Sequence, residues 1–274
     1  MKNLILLSII SPLLFSHLVA KDAQFTPFVG STTYDNAIKE KTQNYGIYYT
    51  GKKDFKFLIE YSDTKSAKNF NQTNIALSDR FNINDSLDIQ MALNYINSSS
   101  KEYDGIYSIV LGTKKELSHF NLGLDLAYSV YNNSVLKSVT QISPHLSFNY
   151  GNYKSLMGLY TLKLNYDSIR PDSKVNSLSS EYSTFGFTLT QFKAKFQNSL
   201  QYWFNDHIFA VRDQGMNVQN HEDIYENALS ISSKYNLSPT TSVQLYFIKK
   251  DYHQYAQTNT SHLKSFLLFG YFKF

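Results

Sequence analysis

The chain has 274 residues, 16% of them aromatic, and a formal net charge of +4 at pH 7. This mild charge gives no reason to expect a nucleic-acid partner. Cysteine is absent, which excludes a disulfide framework and a thiolate metal site. No apolar run beyond the first twenty residues is long enough for a membrane helix, and the slightly negative mean hydropathy still suits membrane strands, because half of their residues face a polar interior.

Residues 1–20 have the features of an export signal. Lys2 supplies a positive charge, Leu4–Leu14 form an apolar run that contains Ser and Pro, and Ala20 gives a small residue at the cleavage point. A membrane anchor or a buried helix fits a stretch of this length and content less well. We therefore expect residues 1–20 to be a cleaved signal peptide and residues 21–274 to form one exported domain.

Strand patterns recur along the rest of the chain. In Ser86–Tyr95 and in Phe120–Val130, apolar residues occupy every second position, and polar or small residues lie between them. Such a period indicates a strand, because no helix would place these residues on one face. At about 3.3 Å per residue, the apolar face is long enough to cross a tilted membrane band.

We count about fourteen such segments, which leaves twelve to sixteen strands open because three segments are irregular. They begin near Phe25, Gln43, Asp54, Thr73, Ser86, Gly105, Phe120, Val139, Ser155, Tyr182, Lys195, Ile224, Thr241 and Ser265. Short connections such as 50–53, 82–85, 151–152 and 193–194 alternate with longer polar ones at 35–42, 63–69, 97–104, 167–181, 206–223 and 251–262. This alternation, with an even strand number, predicts an all-β, transmembrane, antiparallel up-and-down barrel whose termini share one side.

Aromatic residues fall where interfacial girdles would lie: Phe55, Phe81, Phe120, Tyr150 and Tyr235 near short turns, and Tyr95, Tyr128 and Tyr166 near long loops. The longest loop, 206–223, has two possible roles. It carries Gly215, which permits a turn, and the titratable residues Arg212, Asp213, His221 and Glu222. An inward constriction is possible, but the sequence favours a solvated cap.

The last strand pattern, Ser265–Phe274, ends on an aromatic residue. One face carries Phe266, Leu268, Gly270, Phe272 and Phe274. This pattern resembles the closing signal of bacterial (Gram-negative) outer-membrane β-barrels of the porin-like kind. The resemblance implies an outer-membrane location among its lipids, and assembly by periplasmic chaperones and the barrel-assembly machinery. It implies no specific subfamily.

Assigning the apolar rows to lipid turns ten titratable residues inward. These pore-lining candidates are Lys56, Glu60, Arg80, Asp88, Asp125, His145, Lys163, Lys195, Glu226 and Lys234. A charged, polar lining suits a water-filled pore for small polar solutes or ions. Equally, the same residues could pair across the interior and fill it. We expect a passive channel, with a structural or surface-interaction barrel of closed lumen as the alternative.

An enzyme is the third possibility. His145-Leu146-Ser147 has the His–Ser spacing of some outer-membrane lipid hydrolases, and a serine nucleophile needs a base within hydrogen-bond reach. However, Leu146 and Phe148 claim the lipid face, which turns His145 and Ser147 away from lipid. No phosphate-binding, zinc or calcium motif occurs, and His253 and His262 lie in a predicted solvated loop. We therefore predict no catalytic residue, no metal and no cofactor.

Overall fold

A computed structural model gives the structure of most of the chain. It describes residues 23–35, 39–51, 54–67, 69–118, 120–131, 136–173, 178–219, 223–254 and 259–274. The expected signal peptide, 1–20, lies outside the described residues, as do His221 and Glu222 of the longest loop.

Nearly all of the described chain is β-strand. The strands are β1 (Gln24–Tyr34), β2 (Lys39–Thr50), β3 (Lys56–Ser66), β4 (Phe70–Asn84), β5 (Leu87–Ser98), β6 (Ile106–Glu116), β7 (Phe120–Val130), β8 (Leu136–Gly151), β9 (Leu159–Ser173), β10 (Tyr182–Lys193), β11 (Phe196–Phe204), β12 (Val211–Arg212), β13 (Asn217–Val218), β14 (Asp223–Asn236), β15 (Thr241–Gln254) and β16 (Ser261–Lys273). None of the described residues belongs to a helix that is long and apolar enough to cross a membrane.

Fourteen of these strands close into one antiparallel barrel, in which each strand pairs with its neighbours in the sequence. β12 and β13 form a separate two-stranded hairpin. The barrel closes where β1 pairs with β16, from Gln24 opposite Lys273 to Tyr34 opposite Leu263. The Phe274 N–H also donates to the Ala23 carbonyl at 3.0 Å, so the first and last described residues lie at the same end of the barrel. The predicted fold and strand number are confirmed.

Some strand boundaries differ from the prediction. β9 begins at Leu159 rather than near Ser155, because a hydrogen-bonded turn lies before it and Gly158 adopts a φ of +85°. Leu156 is therefore 87% exposed in a turn and not part of a strand face. Elsewhere the strands continue into segments that had been predicted as loops: β2 begins at Lys39, β9 runs to Ser173 and β15 to Gln254. The sequence did not reveal these extensions, because the strands stay paired through their backbones beyond the apolar band, where the side chains are polar like those of a loop.

The two faces of the barrel have the predicted chemistry. On β7, Leu122, Leu124 and Leu126 point outward and are exposed, and the same holds for Phe266 and Leu268 on β16. Most residues between such positions are buried or half-buried on the inside. An apolar outer band of this kind is what a membrane-spanning barrel presents to lipid.

One predicted girdle residue is placed differently. Phe55 is only 4% exposed, because its ring packs edge-on against Tyr49 and beside Ala23 at the turn end. By contrast, Phe81, Tyr128, Tyr150 and Tyr166 are exposed on the outside.

Candidate functional site

A cavity of about 730 Å³ lies inside the barrel and is here called the central cavity. Its wall is mixed. Lys56, Lys163 and Lys250 contribute positive charge, and Asp125 and Asp167 contribute negative charge. Aromatic side chains from β2, β15 and β16 face the same space, namely Tyr48, Tyr246, Phe269 and Tyr271. Because polar and charged groups reach the interior from many strands, the cavity is suited to water and polar solutes.

The ten pore-lining candidates are not gathered in one place. Lys56, Asp125, His145 and Lys163 line the central cavity. Glu60 lines a smaller cavity. Lys195 and Lys234 line a third cavity, of about 400 Å³, beside the short turn between β14 and β15. Arg80 forms an ion pair with Asp54 at 2.7 Å, and Asp88 lies on β5 beside the β4–β5 turn.

Glu226 does not lie where the alternation predicts. A β-bulge interrupts β14 between Tyr225 and Asn227, and an extra residue in a strand reverses the faces of those beyond it. Tyr225 is therefore the buried residue, with its ring beside those of His207 and Tyr252. Glu226 instead accepts from Thr260 at 3.2 Å and faces His253 Nδ1 at 3.1 Å, and it lines none of the cavities described in this section.

His145 and Ser147 have separate partners. His145 Nδ1 lies 3.8 Å from Asp125 Oδ2, and Ser147 Oγ accepts from Asn121 Nδ2 at 3.3 Å. No hydrogen bond joins His145 to Ser147 in the part of the chain that the structure describes. The contact between base and nucleophile that the hydrolase alternative needs is thus missing from this arrangement.

His253 and His262 are on strands β15 and β16, not in a solvated loop as predicted. His253 faces Glu226, and His262 Nδ1 lies 2.7 Å from Asp251 Oδ1, so each has a carboxylate neighbour. Within the described ranges, no three His, Cys, Asp or Glu side chains are grouped so that they could hold a metal ion.

The longest loop folds into the barrel. We call residues 205–219, the described part of the segment between β11 and β14, the inward loop. His207, Ile208, Phe209 and Ala210 are completely buried, and the last three belong to the largest apolar cluster among the described residues. Its wall residues include Ile96, Ile106, Val139 and Ile169. The expectation of a solvated cap is therefore wrong, because the loop carries an apolar segment that the inner wall accommodates.

Gln141, which points inward from β8, fixes the loop backbone. Its side-chain oxygen accepts from the Val211 N–H at 2.7 Å, and its amide nitrogen donates to the Val211 carbonyl at 2.8 Å. Tyr131 adds a third bond by donating to the Gln219 carbonyl at 3.1 Å. Buried backbone groups need such partners, since an unmade hydrogen bond costs about 1–3 kcal/mol. These contacts hold a segment that has few backbone partners of its own.

Arg212 brings a charge from the loop into the interior. Its guanidinium lies 3.6 Å from the ring centre of Trp203, and its Nε lies 3.7 Å from Asp167 Oδ2. Burial lowers the pKa of Arg212 from its ordinary value, while the negative charges of Asp167 and Asp213 oppose that shift. The group remains a cation, because arginine is not deprotonated in proteins at ordinary pH. Arg212 is thus a fixed positive charge at the wall of the central cavity.

His207 anchors the start of the loop. Its backbone exchanges two 2.9 Å hydrogen bonds with Tyr225, and its ring stacks on that of Tyr225 with centroids 5.5 Å apart. Burial, followed by the nearby charge of Arg212, lowers the pKa of His207 well below its ordinary value. The ring is therefore neutral at pH 7, and its Nδ1 lies 3.2 Å from the Asn205 carbonyl.

The tip of the loop separates two spaces. Met216 packs on Leu58 and Ala76, beside Phe28 and Tyr48, and we call these five residues the collar. On the side of the collar nearer the short β2–β3 turn, Lys56 lines the central cavity. On the other side, Glu60 lines a cavity of about 140 Å³, which we call the outer cleft. Leu58 lies between these two residues on the inner face of β3, so along this wall the collar lies between the two cavities.

Sequence reasoning missed the residues that hold the loop. In the alternation Gln141 and Trp203 are ordinary inward-facing residues. No feature of the sequence near them indicates that they contact Val211 and Arg212. One signal was present: Ile208–Val211 is a continuous apolar segment inside a polar loop, and such residues are mostly buried in folded proteins.

Comparisons with known proteins give similarity in structure and not in sequence. No protein-family model matches the chain, and no curated protein matches it. The toluene transporter TbuX of Ralstonia pickettii gives a TM-score of 0.55 at 8% identity, covering 94% of this chain and 90% of that one. The monoaromatic hydrocarbon channel CymD gives 0.54 at 9% identity with the same coverage. A structure described as a bacterial polysaccharide outer membrane secretin gives 0.51 at 10%, covering 93% and 99%.

The chain has the fold of outer-membrane channel barrels. At identities this low the likeness concerns the fold alone, and it identifies no subfamily. The similarity in fold extends over almost the whole barrel.

Proposed function

We propose that the protein is a channel of the bacterial outer membrane that admits small polar solutes or ions by passive diffusion. The observation that carries the proposal is the central cavity, about 730 Å³ of polar and charged space inside a closed barrel. In this state the inward loop restricts the path along the collar. Lys56, Asp125, His145 and Lys163 are the candidates for contact with a passing solute.

A second candidate is a barrel with a permanently closed lumen that serves a structural or surface role. The depth at which the inward loop is buried favours it, because Ile208, Phe209 and Ala210 have no exposed surface. The two candidates differ in whether the wild-type protein conducts ions.

Conductance in planar bilayers tests both candidates. We would compare wild-type protein with a variant in which residues 206–219 are replaced by a short Gly-Ser linker. The channel predicts discrete steps in wild type, and larger steps in the variant because the loop no longer narrows the lumen. A silent wild type with a conducting variant would favour the closed barrel. Silence of both, in preparations whose heat-modifiable gel migration shows a folded barrel, would contradict the channel.

The location of the protein belongs to the same proposal. Residues 1–20 would direct export, after which periplasmic chaperones and the barrel-assembly machinery would insert residues 21–274 among outer-membrane lipids. The row of Phe266, Leu268, Gly270, Phe272 and Phe274 supports this, because its four large apolar residues are exposed on the outside of the barrel, as a lipid-facing surface requires.

We assign no catalytic role. Phospholipid hydrolysis by the wild type that is lost in Ser147→Ala would contradict this part of the proposal.

A further inference from the structure

The outer cleft is polar but carries one charge. Hydroxyl and amide side chains from the first four strands surround it, and Glu60 is the one ionisable carboxylate among its lining residues. We propose that the outer cleft binds a small organic ammonium ion through the Glu60 carboxylate. Binding there does not require that the ion crosses the membrane, so the proposal goes beyond passive diffusion.

Glu60 has no counterion among the described residues. Its Oε1 accepts from Asn44 Nδ2 at 2.7 Å, but no described lysine, arginine or histidine nitrogen forms an ion pair with it. Lys39, whose ammonium lies 5.8 Å from the ring centre of Tyr34 at the same cleft, is already held by Asp223 at 2.5 Å. A half-buried carboxylate that is held only by neutral amide donors lacks a neutralising charge, and a bound cation would supply one.

A neighbouring amide points to the same kind of ligand. Asn74 is directly opposite Glu60 across the β3–β4 pair and is buried; its side-chain amide hydrogen-bonds the Glu60 carboxylate, yet its Oδ1 has no hydrogen-bond partner. Buried polar atoms are normally bonded, so this oxygen is an acceptor that awaits a donor. Glu60 and Asn74 thus offer acceptors to one small space. An ammonium group supplies up to three donors and a positive charge together.

The size and composition of the cleft favour an organic cation over other solutes. At about 140 Å³ it exceeds the space of one water, about 30 Å³ in the liquid, several times over. Calcium and magnesium sites use several oxygen ligands, often with more than one carboxylate, and Glu60 stands alone here. A neutral polyol would leave its charge unpaired.

Calorimetric titration of the purified, detergent-folded protein tests the site. Ethanolammonium chloride at pH 8 should bind to wild type, whereas ethylene glycol and sodium acetate should not. Glu60→Gln keeps the shape but removes the charge, and should weaken binding at least tenfold. The matched control is Asp88→Asn, which removes one carboxylate on β5 outside the cleft and should bind as wild type does.

Asn74→Asp is the second variant. It places a second carboxylate beside that of Glu60 and should tighten ethanolammonium binding. This result can be obtained even if Glu60→Gln does not fold. The inference is overturned if wild type does not bind, if Glu60→Gln binds equally well, or if ethylene glycol or calcium binds in place of the ammonium ion. Conductance recorded on the same preparations separates the two proposals: conducting protein without ammonium binding refutes only the site, and binding by silent protein refutes only the channel.

Discussion

We predict that His207 makes the position of the inward loop sensitive to acid. It is completely buried, and its pKa is well below the ordinary value of 6.5 because the protein around it and the charge of Arg212 disfavour the protonated ring. Lys250 adds a further positive charge nearby. In a released, solvated loop the ring would regain its ordinary pKa. The released state therefore binds a proton more readily than the inward state.

We expect acidification below pH 6.5 to release the loop. The inward position is fully favoured above 6.5 and weakens as pH falls, by up to about 2 kcal/mol at pH 5 from this one group. Trp203, the single tryptophan of the chain, is stacked against Arg212, so its fluorescence should change as the loop leaves.

The control for this pH response is His207→Phe, which keeps a ring against Tyr225 but cannot take up a proton. Its fluorescence should stay constant from pH 7.5 to 5. A wild-type signal that does not depend on pH, or an equal response in His207→Phe, would refute the role of this residue.

At the scale of one element, the inward loop behaves as a packed insert held by side chains. Its contacts are the apolar cluster around Phe209, the paired bonds of Gln141 and the collar at Met216. Burial of each large apolar side chain contributes about 1.5–3 kcal/mol, which must offset the lost freedom of about 1–2 kcal/mol per ordered residue. With opposing contributions of this size, one unfavourable contact at the tip is enough to shift the loop.

Gly215 is the position where such a contact is easiest to introduce. Its φ is +86°, and a Cβ there would lie 2.8 Å from the Ala92 Cβ and 3.0 Å from Val110. Gly215→Ala should destabilise the inward position by about 1–3 kcal/mol, the usual range for such backbone strain. Trypsin should then cleave after Arg212 about five to a hundred times faster than in wild type.

Two variants accompany the Gly215 experiment. Gly51→Ala changes a glycine in the β2–β3 turn, away from the loop, and should leave cleavage after Arg212 unchanged. Gly215→Ala combined with Ala92→Gly removes the closest contact but neither the Val110 contact nor the backbone strain, so it should restore only part of the protection. If trypsin cleaves Gly215→Ala after Arg212 at the same rate as the wild type, the tip does not hold the loop.

At the scale of the molecule, the barrel was predictable because its signal is local and repeated. The alternation in β5 and β7 gives the lipid face of each strand without knowledge of any partner, and the rhythm of short and long connections gives the strand number. The interior was less predictable. A single bulge at Tyr225 reverses the face of Glu226, and the bonds from Gln141 to Val211 join positions that no periodicity relates.

Variants of Phe274 test whether the last strand acts as an assembly signal. The residue is 77% exposed, at the outer edge of the barrel and not in its interior. Its deletion, or Phe274→Glu, should therefore reduce insertion into the outer membrane severalfold while leaving conductance per inserted barrel unchanged. Heat-modifiable migration of membrane fractions measures insertion, and Lys273→Gln is the control at the neighbouring position. Normal insertion of both Phe274 variants would contradict the assembly role.

The pairing of β1 with β16 also dictates when the barrel can be completed. Thr32 and Ser265 share a 2.7 Å hydrogen bond although 233 positions separate them in the sequence. Contacts of such separation form slowly, because the chain must first lose the entropy of closing a very long loop. Until the final strand arrives, both edge strands present unpaired backbone groups that can pair with another chain. Because β1 is synthesised first and β16 last, the chain is prone to aggregation until these two strands have paired.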